Sequence, residues 1–232
     1  MLAATIMPTT LTFEEARVLG CLLEKEMATP DYYPMTPAAL LAACNQLSNR
    51  EPVVSLDQRT VDAAAANLRR KGMVAMLHMA GSRVGKLRHL LEDCFPALGR
   101  PERALLAVLL LRGPQTAAEL RARSERMHEF GEAGEVDQAL VLLLDNAGAP
   151  LIVHLPAGGG RRVSTYAHLL CGEVSAATVP AALSAAVIPP PPDVVADMEQ
   201  QVARLSGKVA ELERRLAWLE ESLGSQAPPG GG

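Results

Sequence analysis

The chain has 232 residues, with 49% apolar but only 3% aromatic content and a formal net charge of −4. That length favours one or two domains plus a tail, and a core poor in aromatics must be built from Leu, Val, Ala and Met, which suits helices. Residues 1–98 carry ten basic and ten acidic side chains, residues 99–170 carry eight of each, and the whole net charge sits in residues 171–232. A strongly basic nucleic-acid-binding domain is therefore absent from the averages, and any basic patch must be local. No stretch approaches the ~18 consecutive apolar residues of a membrane span. The opening MLAATIMPTTLTFEE has no basic region ahead of an apolar one and turns acidic at Glu14, a poor signal peptide, so a cytoplasmic location is expected. Cys21, Cys44, Cys94 and Cys171 lack metal spacing and are expected to be free, mostly buried thiols.

Thr12-Phe13-Glu14-Glu15 matches a capping box and predicts a first helix to about Ala28, ahead of Pro30. Thr36-Pro37 opens a short helix through about Cys44, because Pro lacks an N–H that the first turn does not need. Asn45 to Pro52 reads as a loop. Asp57 caps a third helix with the apolar stripe Val61, Ala64, Ala65 and Leu68, which Gly72 stops after Arg69-Arg70-Lys71. Met73–Met79 and Lys86–Leu91 flank the turn GSRVG and read as a hairpin. The order then restarts. Glu102–Arg112 is apolar nearly all round and hence a buried helix. Thr116 to Glu119 is a second capping box, leading a helix to about Met127. Val136, Ala139, Leu140, Leu143 and Leu144 mark a third helix, and Leu151–Leu155 with Val163–Leu169 a second hairpin. Three helices followed by a two-stranded wing, twice, is the winged-helix variant of helix-turn-helix.

The expected organisation is mainly α with small β-hairpins: a first winged-helix domain over 1–98, a second over 99–171, an Ala/Pro-rich linker over 172–192, a coiled-coil helix over 193–224 and a disordered tail over 225–232. In the tail helix Val195, Met198, Val202, Leu205, Val209, Leu212, Leu216 and Leu219 alternate three and four apart, with Val mostly at a and Leu at d, which favours two strands. A parallel pair would set Lys208 against Glu213 and Arg215 against Glu220, whereas an antiparallel pair would bring like charges together. A homodimer through residues 195–223 is expected; the alternative is a single amphipathic helix folded back on its own chain.

The runs LTFEEARVLGCLLEKE (11–26), TPAALLAACNQLSNREPV (36–53), GSRVGK (81–86), LRGPQTAAELRARSERMHEF (111–130) and YAHLL (166–170) resemble the YceH family of bacterial proteins over about residues 11–172. The resemblance implies two winged-helix domains in tandem, often followed by a heptad segment. It carries over no biochemical activity. At Leu87-Arg88-His89-Leu90 the chain departs from the aromatic and basic residues usual in relatives.

Two surfaces stand out as candidates. Residues 55–90 carry seven basic against two acidic side chains. Arg59, Asn67, Arg69, Arg70 and Lys71 on the third helix, with Arg83, Lys86 and Arg88 in the wing, could contact the phosphates of duplex DNA. The plainer reading is a solvated face with cations matched to the helix dipole. Ala63 to Ala66 leave few side chains to read base edges, which argues against sequence-specific recognition. The second surface, Arg123, Glu125, Arg126, His128 and Phe130 after Arg121, is either a partner-docking or nucleic-acid-binding loop, or a segment whose Arg–Glu pairs pin it to the domain surface or to the other domain. Asn45, Gln46, Asn49 and Arg50 form a similarly polar loop. The five histidines show no zinc spacing, GSRVGK lacks the Ser/Thr of a phosphate loop, and no nucleophile signature is present, so neither an enzyme nor a cofactor or metal is expected. Two roles remain: contact with DNA, or a scaffold that binds an unknown protein partner through its winged helices.

Overall fold

The computed structural model describes residues 10–78, 84–132, 134–146, 149–157 and 163–173, together with Arg204, Lys208, Arg214 and Arg215. Among these the chain is mainly helical, with two small antiparallel strand pairs. The elements are α1 (Phe13–Ala28), α2 (Pro37–Cys44), α3 (Gln58–Arg70), β1 (Val74–Leu77), β2 (Lys86–His89), α4 (Leu91–Cys94), α5 (Arg100–Arg112), α6 (Ala117–Ser124), α7 (Glu135–Leu144), β3 (Ile152–Leu155) and β4 (Thr165–His168).

Local chemistry sets most of the ends. Both capping boxes form: Thr12 Oγ1 accepts from the Glu15 N–H at 3.3 Å while Glu15 accepts from the Thr12 N–H at 3.0 Å, and Thr116 and Glu119 repeat the exchange at 3.2 and 2.9 Å. Asp57 accepts from the Thr60 N–H at 2.7 Å, and α3 gives way to Gly72 at φ +73°, a conformation glycine adopts without steric cost. The helix expected to reach about Met127 ends instead at Ser124. There the buried Ser124 hydroxyl donates to the Leu120 carbonyl at 2.6 Å, and the Ser124 carbonyl accepts from both Met127 and His128. The short helix α4 and a single 3-10 turn, Pro30–Tyr32, were not expected from the pattern.

Each half of the chain repeats one order: helix, bridge residue, helix, helix, hairpin. In the first half Met35, just before α2, bridges to Leu87 on β2; in the second, Gln115, just before α6, bridges to Tyr166 on β4. The hairpins pair Val74 with His89 and Ile152 with His168 at their open ends.

The halves share one continuous core. It runs from Leu19, Leu22 and Leu23 on α1 through Leu40 and Leu68 to Leu105, Leu106 and Leu109 on α5, and on to Leu120, Leu140 and Leu143. Helices α1 and α5 form its centre and pack against each other. Gly20 makes that possible: a Cβ there would lie 3.0 Å from Leu110 and Leu111. Polar ties reinforce the joint. The Leu11 N–H donates to the Leu170 carbonyl at 2.7 Å, Glu51 N–H to Leu111 at 2.9 Å, and Arg100 reaches the carbonyls of Met127 and Met27 at 2.8 and 3.0 Å. The described residues up to Glu173 form one compact unit.

The linker and the heptad positions Val195 to Leu219 lie outside the described residues. Arg204, Lys208, Arg214 and Arg215 are helical. All four cysteines are free; Cys21 and Cys44 are buried, Cys94 is half-buried and Cys171 is exposed.

Candidate nucleic-acid interface

Helix α3 turns Val61, Ala64, Ala65 and Leu68 inward and leaves Arg59, Asp62, Ala63, Ala66, Arg69 and Arg70 exposed. The alanine run is thus split, two into the core and two onto the surface. Arg59 stands one turn before Ala63 and Arg70 one turn after Ala66, so the outer face is a smooth strip with a guanidinium at each end. Asn67 is half-buried and accepts a hydrogen bond from Arg70. Asp62 is held by Gln58 at 2.7 Å.

Lys71 points elsewhere. It pairs with Glu15, whose side chain is only 2% exposed, and donates to the Thr10 carbonyl at 2.9 Å. Burial pushes the Glu15 carboxyl up, but Lys71, the Thr12 N–H and Asn67 outweigh it and hold it below the usual carboxylate range. Lys71 therefore closes α3 onto the start of α1.

On β2 the side chains alternate. Leu87 and His89 are buried, Arg88 is exposed and Lys86 is half-buried. His89 anchors the strand: its Nε2 lies 2.7 Å from Glu26 on α1, its Nδ1 accepts from the Leu91 N–H at 3.2 Å, and its own N–H donates to the Tyr33 hydroxyl at 2.8 Å. With Nδ1 accepting, Nε2 carries the proton and donates to Glu26. Arg83 lies outside the described residues. The structure thus places Arg59, Arg69 and Arg70 on one helix and Arg88 on the following hairpin, all exposed, and diverts Lys71.

The second candidate segment divides. Phe130 is buried, with the His128 ring edge-on at 4.7 Å, and Arg121 donates to the Phe130 carbonyl at 3.0 Å. Arg123 bonds Gln115 and pairs with Glu119 at 3.4 Å and with Glu51 of the first half at 3.7 Å; Arg112 pairs with the same Glu51 at 2.9 Å. Glu125 and Arg126 are exposed. This segment and the polar loop at 45–50 face each other across a cleft of about 750 Å³, lined by Lys25, Gln46, Asn49, Arg112, Arg123 and Arg126 among others. Four helices end around that cleft, and its cations sit in or beside their last turns, where they offset the carbonyl dipoles. Its ion pairs pin the two halves together.

Two features went unseen in the sequence. Arg50 is 2% exposed and donates to Glu24 through two nitrogens at 2.6 and 3.1 Å, to Gln46 at 2.8 Å and to the Ala43 carbonyl at 3.0 Å. Arg17 is fully buried beneath Phe13 and donates to the Pro52 carbonyl at 2.7 Å. Only the long-range contacts reveal either. The other feature is the outer face of α7, where Val141 is 62% and Leu142 47% exposed between Asp137 and Asp145. The inward stripe of Val136, Ala139, Leu140 and Leu143 already implied it, since it leaves that pair of apolar residues outside.

Among the described residues no helix is long and apolar enough to cross a membrane, and no three His, Cys, Asp or Glu side chains converge as metal ligands.

Comparison with known proteins matches residues 11–161 to the family described as "Protein of unknown function, DUF480". The chain is 45% identical over 204 residues to a "UPF0502 protein" of Pelobacter propionicus, covering 86% of this chain and 92% of that one. It is 49% identical over 166 residues to a "UPF0502 protein" of Geobacter metallireducens, covering 72% and 74%. It is 39% identical over 217 residues to "UPF0502 protein YceH" of Escherichia fergusonii, covering 92% and 98%. The chain belongs to this family, the one that includes YceH.

Proposed function

We propose that the protein is a non-enzymatic, cytoplasmic DNA-contacting protein. It is built from two tandem winged-helix domains, over 1–98 and 99–171, and paired into a homodimer by a parallel coiled coil over 195–223. The repeated order of helix, bridge residue, helix, helix and hairpin supports the domain reading, because it is three helices followed by a two-stranded wing, with the residue ahead of the second helix paired to that wing.

The observation that carries the DNA reading is the α3 strip of Ala63 and Ala66 between Arg59 and Arg70, with Arg69 beside it and Arg88 on the wing. Small residues let a helix approach a duplex closely, and guanidiniums bond phosphate oxygens without regard to sequence. With no long polar side chain in the centre of the strip, the contact is to backbone rather than bases. Four cations on phosphates give a salt slope near −3.6, so affinity should fall about a hundredfold between ~50 and ~200 mM salt. Fluorescence anisotropy with a short labelled duplex measures this. Arg59→Glu, Arg69→Glu and Arg70→Glu together should abolish binding, and random-sequence competitor should displace the probe as well as the probe itself does. No binding at low salt, or a triple variant that binds like wild type, refutes the reading.

A protein-binding adaptor is the second reading. The outer face of α7 favours it: this helix occupies in the second half the place of α3 in the first, yet its face is apolar and acidic, and it would repel phosphate.

A further inference from the structure

The third helices of the two halves present opposite faces. On α3 the exposed Ala63 and Ala66 form a shallow strip with Arg59 four residues before and Arg70 four residues after. On α7 the exposed Val141 stands four residues after Asp137 and four before Asp145, with Leu142 one turn on from Gln138. No basic residue lies between Glu135 and Asp145. One face is thus flat with cationic ends and the other raised and apolar with acidic ends, each charge one turn from the centre.

We propose that α7 of one copy of this chain docks on α3 of a second copy. Val141 and Leu142 pack over Ala63 and Ala66, and Asp137 and Asp145 meet the arginines at the ends of the strip. Side chains as small as alanine leave a groove into which a ridge of larger ones fits at close helix–helix distance. Asp62, the one acid on the α3 face, is already engaged by Gln58. The contact joins two different surfaces, so the copy that lends its α7 keeps a free α3 and its partner keeps a free α7, through which further copies can add. A single helix-on-helix contact is small, so the association is weak and concentration-dependent. It shares α3 with the DNA reading but does not rest on it. Where both hold, duplex DNA and α7 compete for the same strip.

Sedimentation of the full chain without DNA, from about 1 to about 200 µM where an interface this small begins to fill, tests the proposal. The weight-average mass of the wild type should at least double across that range and fall back on adding salt. Asp137→Arg with Asp145→Arg should hold the mass constant, and so should Arg59→Asp with Arg70→Asp. All four positions are exposed, and circular dichroism confirms the fold. An equal mixture of the two variants should associate again, since it restores one native contact and creates its charge-reversed counterpart. A wild type of constant mass overturns the proposal. So does an association lost in the α7 variant but kept in the α3 variant, which would mean a different occupant, and so does a mixture that stays dissociated.

Discussion

Arg50→Ala tests how the loop between α2 and α3 is held. The Arg50 side chain is fully buried and that of Glu24 is 13% exposed. Besides the two bonds to Glu24, the guanidinium serves the carbonyls of Ala43 and Asn49 and the amide oxygen of Gln46. Truncation leaves the largely buried Glu24 carboxylate with Lys25 at 3.5 Å in place of two guanidinium bonds, leaves Gln46 with Lys25 at 3.3 Å, and takes the side-chain donor from the Ala43 and Asn49 carbonyls. Breaking a buried pair in this way costs about 3–5 kcal/mol, against about 0.2–1 kcal/mol for an exposed one. For a unit of this size that loss lowers the melting temperature by about 6–20 °C. Urea denaturation followed by circular dichroism gives the free energy directly. Glu24→Gln alone should cost less, because its amide oxygen still accepts, and the double variant should show strong coupling between the two sites. A loss below about 1 kcal/mol for Arg50→Ala would mean that water replaces the guanidinium, and the argument from burial would fail.

Two further outcomes follow from packing and protonation. Gly20→Val inserts a branched side chain where even a Cβ meets Leu110 and Leu111 at 3.0 Å; it should destabilise by about 1–3 kcal/mol in the same denaturation assay, and a neutral result would show that α1 and α5 can move apart. His168 is the pH-sensitive group. Its ring is enclosed although the residue as a whole is half-buried, its Nδ1 has no partner, and burial holds its pKa down at about 4. The unfolded chain binds this proton first, near 6.5, so stability should fall as pH drops from about 7 to about 4, by at most about 3 kcal/mol. His168→Gln should flatten that slope, and an unchanged slope would assign it to other groups.

Much of the first and last turn of each helix was legible because the signals are local. Thr12 and Thr116 with their first-turn glutamates, Pro37 at the start of α2, Asp57 and Gly72 each act within a few residues of the end they set. The periodic stripes of α3 and α7 mark their buried faces, with Leu144 at the end of α7 half-buried, whereas α1 is buried all round from Glu15 to Leu23 and Phe13 at its start is exposed. What escaped was too short to carry a pattern, as with α4, or depended on one side chain turning back on its own helix, as with the Ser124 hydroxyl.

The site divides along the same line. That Arg59, Arg69, Arg70 and Arg88 face outward follows from helix and strand periodicity, so the basic outer face of α3 and the exposed Arg88 of the wing are legible from the residue order. The acidic and apolar face of α7 is legible in the same way, as the complement of its inward stripe. Folding alone pairs Lys71 with Glu15, 56 residues away, buries Arg50 on Glu24, and joins Met35 and Gln115 to the hairpins. It also brings α1 and α5 together at Gly20, merging the two repeats into one core. The physical reason is range. Capping and periodicity are set by neighbours along the chain, whereas the partner of a buried charge or the approach of two helices is set by residues that only folding brings together.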